Sequence, residues 1–94
     1  MKVLVTYDIR TADGDGPRRL RRVARACEDY GQRVQKSVFE CVVGDKEWAE
    51  LKARLLDVID KADDSLRFYF LDNDCRVEHV GTNKPIDLAG PLVI

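Results

Sequence analysis

Several features that commonly identify a protein class are missing from these 94 residues. No apolar run approaches the roughly 20 residues that a membrane-spanning helix needs. A carboxylate, Asp8, follows the first apolar residues too early for a signal-peptide core. The three cysteines are widely spaced and form no CxxC pair, which excludes a zinc knuckle or a dithiol redox motif. We therefore expect a cytoplasmic protein, with no membrane partner, in which Cys27, Cys41 and Cys75 are buried or half-buried, reduced thiols.

The motifs of the common nucleotide-binding and metal-binding enzymes are also missing. The chain has no P-loop, no GxGxxG, no HExxH and no EF-hand loop. The acidic residues at 63–64 and 72–74 lack the spacing and the closing glutamate of a calcium loop, so they are interpreted as turns. His79 is the only histidine. No serine or cysteine partner for a nucleophilic triad is apparent, so a structural role is expected for this histidine.

Charge is unevenly distributed along the chain, although the net charge is only −1. Residues 1–36 carry nine Lys or Arg against five Asp or Glu, whereas residues 37–94 carry seven against twelve. Such asymmetry is typical of a face that binds a polyanion. No internal repeat or linker-like tract interrupts the sequence, so residues 1–94 are expected to form a single domain.

Hydrophobic periodicity predicts alternating strands and helices. Strands are expected over residues 2–8, 33–43, 65–71 and 76–80, and a second helix over 46–62. The first helix is opened by Gly16-Pro17 and stopped by Gly31. Because residues 33–43 are long for one strand, a bend or a tight strand–strand passage is expected near Lys36-Ser37.

This order of elements favours an α+β sandwich, the ferredoxin-like β-α-β-β-α-β fold, with two helices on one face of a sheet. The other sheet face is left bare. A bare apolar face and the apolar segment 88–94 on so small a domain argue for a homodimer.

Asp8 is the most informative single residue. A carboxylate at the end of a buried strand, beside the glycine-rich loop 10–16, is costly to desolvate. One interpretation is that Asp8 caps the loop or pairs with an arginine. The other is a metal ligand or a catalytic carboxylate. One aspartate makes a poor magnesium site, but two copies brought together by a two-fold axis would make a suitable one.

Five arginines lie off the apolar stripe of the first predicted helix: Arg18, Arg19, Arg21, Arg22 and Arg25. They form either a solvated helix face or a row of bidentate phosphate contacts for a polynucleotide backbone. Arg33 and Lys36 add further positive charge on the second strand. Phe39 fits a core position better than a base-stacking platform.

Two motifs together resemble the CRISPR-associated protein 2 family. Tyr7-Asp8-Ile9 closes the first strand, and GQRVQKSVFE follows at residues 31–40. The segment Glu78-His79-Val80-Gly81 also fits. The tail at residues 86–94 resembles the subgroup that accompanies one class of type I systems. The resemblance covers essentially the whole chain.

The resemblance implies a ferredoxin-like homodimer in which the C-terminal tail of each subunit, about residues 82–94, packs on the other subunit. It implies that the two Asp8 carboxylates face each other and hold a divalent metal, Mg²⁺ or Mn²⁺. Without metal the two carboxylates repel, so activity is expected to depend on pH. Positions tied to activity in the family match Tyr7, an arginine after the first loop, Arg33 and Phe39, so the resemblance implies that these residues contact the nucleic acid.

The resemblance also implies two functions. One is a weak metal-dependent endonuclease that acts on double-stranded DNA, single-stranded RNA or both. The other is a non-catalytic DNA-binding adaptor that bridges dimers of the CRISPR integrase during spacer acquisition. Without the resemblance, a small regulatory module that binds a metabolite remains open, and salt-dependent DNA binding would exclude it.

Overall fold

The computed structural model describes residues 1–12, 14–72 and 76–82. Within them, one antiparallel sheet is covered on one face by two helices. The elements are β1 (Lys2–Asp8), α1 (Gly16–Glu28), β2 (Gln32–Gln35), β3 (Val38–Val42), α2 (Asp45–Val58), β4 (Ser65–Phe70) and β5 (Arg76–Gly81). The strand order is β2-β3-β1-β4-β5. This is the predicted ferredoxin-like arrangement, with β5 added beside β4.

Strand β1 lies at the centre of the sheet and is bonded to β3 on one side and β4 on the other. The side chains that it buries in the core against the helices are Val3, Val5 and Tyr7. Successive side chains of a strand point to opposite faces. The open face of the sheet therefore receives Leu4, Thr6 and Asp8. Asp8 stands where the central strand ends, on the side that no helix covers.

The core between the helices and the sheet is organised around Trp48 of α2. Its ring meets Phe68 edge-on at 4.8 Å between ring centres and Phe70 edge-on at 5.4 Å. Each such aromatic pair contributes about 0.5–1.5 kcal/mol beyond the area that it buries. These contacts fix α2 against β4, the strand that neighbours β1.

The predicted long strand over residues 33–43 is divided into β2 and β3 by a turn at Lys36-Ser37, which confirms the expected strand–strand passage. No glycine or proline makes this turn. Instead, the Lys36 carbonyl accepts hydrogen bonds from the Tyr7 hydroxyl at 3.2 Å and from Arg33 Nη1 at 2.6 Å. The Tyr7 amide donates to the Ser37 carbonyl at 3.1 Å. The end of β1 therefore holds the turn.

Helix α2 ends at Val58, four residues before the predicted end. The backbone of Ile59 is extended, with φ −71° and ψ 154°. Asp60 then makes a local turn, since its side chain accepts a hydrogen bond from the Ala62 amide at 2.9 Å. Ile59 is still packed in the core. The periodicity predicted its burial correctly but not its conformation.

The thiols of Cys27 and Cys41 are buried and free, as predicted. Burial raises the pKa of Cys27 to about 12 and that of Cys41 to about 11, so both thiols stay protonated and unreactive near neutral pH. Cys75 and the predicted tail beyond residue 82 lie outside the described residues.

Neither described helix combines the length and the apolar character required to cross a membrane.

Gly16 lets the start of α1 approach the chain that leaves β1. A Cβ atom there would overlap the Arg10 carbonyl oxygen and lie 2.6 Å from the Thr11 Cα, whereas a Cβ atom at Gly14 meets nothing within 4 Å. We expect Gly16→Ala to lower the free energy of unfolding by about 2 kcal/mol and Gly14→Ala by less than about 0.5 kcal/mol. Urea unfolding of the two variants measures the difference. Equal effects would contradict the close approach.

Candidate functional site

The end of β1 opens into a cleft of about 520 Å³ between the β1–α1 loop, helix α1 and the Lys36-Ser37 turn. Asp8 is exposed at this cleft. The polar side chains along its walls include Tyr7, Asp8, Arg21, Arg33, Lys36 and Ser37. One carboxylate therefore shares a cleft with three cationic groups. Such a setting suits an anionic ligand and, at the carboxylate, a cation.

Arg33, Phe39 and Tyr7 stack on one another beside the cleft. The Arg33 guanidinium carbon lies 4.8 Å from the centre of the Phe39 ring, and the Tyr7 and Phe39 rings stack at 6.2 Å. Phe39 is fully buried. The prediction that Phe39 contacts nucleic acid is therefore wrong, because a ring inside the core cannot stack on a base. Its alternative assignment to the core is correct.

The Tyr7 side chain is also almost completely buried, although it reaches the cleft wall. Burial raises the pKa of Tyr7 above its usual 10.0, and the neighbouring Arg33 guanidinium opposes part of this rise. The hydroxyl is therefore protonated near neutral pH and acts as the hydrogen-bond donor to Lys36. Tyr7 and Arg33 position the turn that carries Lys36.

The arginines of α1 are divided between different surfaces. Arg21 lines the Asp8 cleft. Arg22 and Arg25 line a separate recess of about 150 Å³ against α2, where they are joined by Arg54. Arg19 turns inward. One helix therefore presents positive charge to two different surfaces.

Four exposed arginines of α1 make no salt bridge to any residue that the structure describes. They are Arg18, Arg21, Arg22 and Arg25. Other arginines are paired, since Arg33 meets Glu28 at 3.2 Å and Arg54 meets Asp29 at 2.9 Å. A guanidinium group without an internal partner keeps all of its donors for an external anion. These four side chains are therefore the strongest candidates for phosphate contacts.

Asp64 is a buried carboxylate that binds three parts of the chain together. Its Oδ2 accepts hydrogen bonds from Arg19 Nε at 2.8 Å and from the Asp60 amide at 2.9 Å. Its Oδ1 accepts from the Arg10 amide at 3.0 Å and from Arg19 Nη2 at 3.3 Å. The Arg19 guanidinium group is bound to Asp64 and its side chain is only 16% exposed, which argues against the predicted contact of Arg19 with nucleic acid.

The Asp64 contacts fix the chain two residues after Asp8. The amide of Arg10 donates to Asp64, and its carbonyl accepts from Arg19 Nη2 at 3.3 Å. Burial tends to raise the pKa of Asp64, but the hydrogen bonds from Arg19 and the two amides outweigh burial and hold the pKa below its usual 3.8. From the sequence, Asp64 was expected to be a turn residue. The only sequence signal for a buried ion pair was an aspartate directly before an apolar strand, in a chain with many arginines.

A polar row crosses three strands of the open sheet face. Ser65 on β4 is the register partner of Asp8 on β1. Its hydroxyl oxygen lies 3.1 Å from Nε2 of His79 on β5. No serine partner for a triad with His79 was apparent from the sequence, whereas the structure places the Ser65 hydroxyl against its ring. The two residues are 14 positions apart, so no local pattern could have joined them.

A metal ion at Asp8 would need more ligands than one chain provides. Among residues 1–12, 14–72 and 76–82, no three His, Cys, Asp or Glu side chains are grouped so that they could hold a metal. The Asp8 carboxylate is a hard oxygen donor of the kind that Mg²⁺ and Mn²⁺ prefer. The residues therefore fit a divalent cation only if a second copy adds its own Asp8.

Comparison with known proteins decides the family. A sequence model of CRISPR associated protein Cas2 matches residues 1–78. The chain belongs to the Cas2 family. It is 56% identical over 96 residues to the CRISPR-associated endoribonuclease Cas2 of Nitratidesulfovibrio vulgaris, covering 100% of this chain and 94% of that protein. It is 50% identical over 95 residues to the CRISPR-associated endonuclease Cas2 of Halalkalibacterium halodurans, covering 99% of each.

A solved Cas2 structure agrees with the fold. The crystal structure of Streptococcus pyogenes Cas2 at pH 6.5 matches with a TM-score of 0.71 and 55% sequence identity, over 78% of this chain and 89% of that chain. The predicted family and the predicted ferredoxin-like fold are both confirmed.

Proposed function

We propose that this Cas2 chain is a divalent-metal-dependent endonuclease, centred on Asp8, that acts in CRISPR spacer acquisition. The observation that carries the proposal is the shared cleft of Asp8 with Arg21, Arg33 and Lys36. Hydrolysis of a phosphodiester requires positive charge against the phosphate oxygens as the transition state forms. The names of the two relatives, an endoribonuclease and an endonuclease, agree with this chemistry.

A homodimer would complete the proposed site. The open sheet face exposes Val42 at 74% and Val77 at 46%, and Asp8 lies on the same face. Pairing of two copies through this face would cover the apolar side chains and bring the two carboxylates close to the two-fold axis. Mg²⁺ or Mn²⁺ held there would neutralise their repulsion and supply positive charge to the phosphate.

Each cleft residue has a part in the proposed reaction. Arg21 and Lys36 bind the non-bridging oxygens of the phosphate. Tyr7 and Arg33 orient Lys36 through its carbonyl group. Asp8 holds the cation. These contacts are made to the backbone of the nucleic acid, which DNA and RNA share, and we expect weak activity rather than sequence-specific cutting.

Metal removal tests the proposal. Purified wild-type protein is incubated with end-labelled double-stranded DNA or single-stranded RNA, with magnesium or with excess EDTA. We expect cleavage of at least one substrate with magnesium, its loss in EDTA, and its return when magnesium or manganese is added back. The substrate that is cut identifies the class of nuclease. Cleavage that persists in EDTA would contradict the role of Asp8 as a cation ligand.

A second candidate function is a DNA-binding adaptor that bridges integrase dimers. The observation that favours it is the exposed charge on the helix-covered side of the sheet, where Arg22 and Arg25 line a recess apart from the Asp8 cleft. These arginines could hold a DNA backbone without any contribution from Asp8. The adaptor and the nuclease are compatible in one protein.

Charge reversal tests this binding surface. Arg22→Glu/Arg25→Glu should weaken duplex DNA binding by about 10- to 100-fold and reduce the slope of log Kd against log salt by about 2. Lys46→Glu/Lys61→Glu is a matched control, because it changes the net charge equally at exposed residues of other surfaces. Fluorescence anisotropy at several salt concentrations measures both. Equal weakening by the two double variants would show that only net charge matters.

A further inference from the structure

We propose that Ser65 and His79 form the proton-accepting pair of the hydrolytic site at Asp8. The inference rests on the nuclease function proposed above and assigns a group that this function still requires. Attack by water on a phosphodiester releases a proton, and a base near the attacked phosphorus speeds the reaction. A carboxylate that holds a cation is a poor base, so Asp8 cannot fill both roles.

The position of Ser65 beside Asp8 is set by the sheet register. Ser65 and Asp8 are directly opposite each other on β4 and β1, and both lie on the open face. The Cβ atoms of such a pair are about 4.5–5.5 Å apart. The Ser65 hydroxyl is therefore within reach of a water molecule or a phosphate oxygen at the Asp8 carboxylate.

His79 stands behind this hydroxyl. The Oγ–Nε2 distance of 3.1 Å is that of a hydrogen bond. Imidazole is the side chain that exchanges protons near neutral pH without special perturbation. Ser65 is buried and His79 is half-buried, so the pair is held by the sheet rather than free in solvent.

Other titratable groups near Asp8 are already committed to different partners. The Tyr7 hydroxyl is protonated and donates to the Lys36 carbonyl. Asp64 is fully buried and bound to Arg19. Glu40, on the open face, pairs with Lys2 at 3.3 Å. Within the described residues, His79 is therefore the base best placed to act at Asp8.

The proposed step conserves atoms and charge. The water oxygen forms the new bond to phosphorus, and the bond from phosphorus to the leaving alcohol breaks. A proton of the water passes to Ser65 Oγ while the Ser65 hydroxyl hydrogen passes to Nε2 of neutral His79. The imidazolium then releases this proton to the leaving alkoxide or to solvent. One water is consumed, and Ser65 and His79 return to their starting states.

The proposal fixes a tautomer and a pH dependence. Nε2 must lack a hydrogen, so neutral His79 must carry its hydrogen on Nδ1. Among the residues that the structure describes, the charged groups that face His79 across the open side of the sheet are Arg67, its register partner on β4, and Asp8 beyond Ser65. A general base acts only in its unprotonated form, so the cleavage rate should rise with pH to a plateau.

The test uses the full chain, magnesium and whichever nucleic acid the wild-type protein cuts. Single-turnover rates are measured between about pH 5 and 8 for wild type, His79→Gln, Ser65→Ala and Ser65→Thr. We expect His79→Gln and Ser65→Ala to lower the cleavage rate at neutral pH by about 100-fold. They should also remove the acidic limb of the pH–rate profile, which is the rise of the rate between acidic and neutral pH. Ser65→Thr keeps a hydroxyl group and should retain that limb. DNA affinity and the unfolding midpoint should change little.

A measurement without turnover accompanies the kinetics. Nitrogen-15 NMR of the imidazole ring should report the Nδ1–H tautomer in the wild type and a shift toward Nε2–H in Ser65→Ala. A predominantly Nε2–H ring in the wild type would overturn the proposal.

The kinetic outcomes separate this inference from the nuclease function. If His79→Gln keeps the wild-type rate and pH profile while Asp8→Asn is inactive, the nuclease stands and the role of Ser65 and His79 is wrong. If the wild-type protein cuts neither DNA nor RNA, both proposals fail. If His79→Gln does not fold, the Ser65 variants decide. Equal rates and profiles for Ser65→Ala and Ser65→Thr would then overturn the proposal.

Discussion

Asp8→Asn is expected to lower phosphodiester cleavage by about 1,000-fold or more while duplex DNA affinity stays within about twofold. In the proposed homodimer each chain contributes one Asp8 to the same cation, so a single substitution removes both carboxylates. An amide carries no charge to hold Mg²⁺. DNA binding should persist, because the exposed arginines of α1 are unchanged and a carboxylate does not attract phosphate.

Asp15→Asn is the matched control for Asp8→Asn. Asp15 is an exposed aspartate that precedes α1, and its side chain makes no capping hydrogen bond to the helix. The cleavage rate of Asp15→Asn should lie within about twofold of the wild-type rate, because substitutions at exposed positions usually have small effects. All three proteins are purified side by side and assayed with and without magnesium. Equal cleavage by Asp8→Asn and wild type would mean that the activity belongs to another group or to a contaminant.

Asp64→Ala should lower the free energy of unfolding by about 3 kcal/mol, because it removes one partner of a buried ion pair and leaves two amides without their acceptor. The neighbouring Asp63 is a direct control. It meets Arg10 at 3.4 Å in a partly exposed pair, so Asp63→Ala should cost less than about 1 kcal/mol. Urea unfolding must be compared at one protein concentration, since dimer formation shifts the transition. Similar losses of unfolding free energy in the two variants would contradict the role of Asp64 as the acceptor of a buried ion pair and two amides.

The contribution of Asp64 to the free energy of unfolding should also disappear in acid. The folded protein holds the pKa of Asp64 below its usual 3.8, so the unfolded chain binds this proton more readily. The stabilisation is therefore present above about pH 4 and is lost as pH falls through the folded pKa. The difference in unfolding free energy between wild type and Asp64→Asn should narrow on acidification below about pH 4. A constant difference across this range would show that the charge of Asp64 does not contribute.

Local patterns were sufficient to predict most of the fold. Alternating side chains that are apolar on both sides identified β1 as a central strand, and Pro17 located the start of α1. Both signals arise from residues close in sequence. The Lys36-Ser37 turn was anticipated from strand length alone. The end of α2 was missed, because the turn that Asp60 makes with Ala62 competes with the helix and leaves the hydrophobic stripe unchanged.

The candidate site was predicted less completely, since long-range contacts determine it. Asp8 and the arginines of α1 were identified by residue type. Their division between two surfaces depends on how α1 is rotated against the sheet. Arg19 and Asp64 are 45 positions apart. No spacing rule connects residues at that distance, so their pairing required the structure.

In the proposed functions, Asp8 is needed to cut nucleic acid, whereas Arg22 and Arg25 are needed to bind DNA. Cleavage and binding by wild type, Asp8→Asn and Arg22→Glu/Arg25→Glu, measured on the same preparations, test this most directly. We predict that Asp8→Asn binds DNA normally and does not cut its substrate. The double variant should bind DNA at least about tenfold more weakly, yet cut at the wild-type rate once its concentration saturates the substrate. A double variant that stays inactive at saturation, or an Asp8→Asn variant that cuts, would contradict the separation.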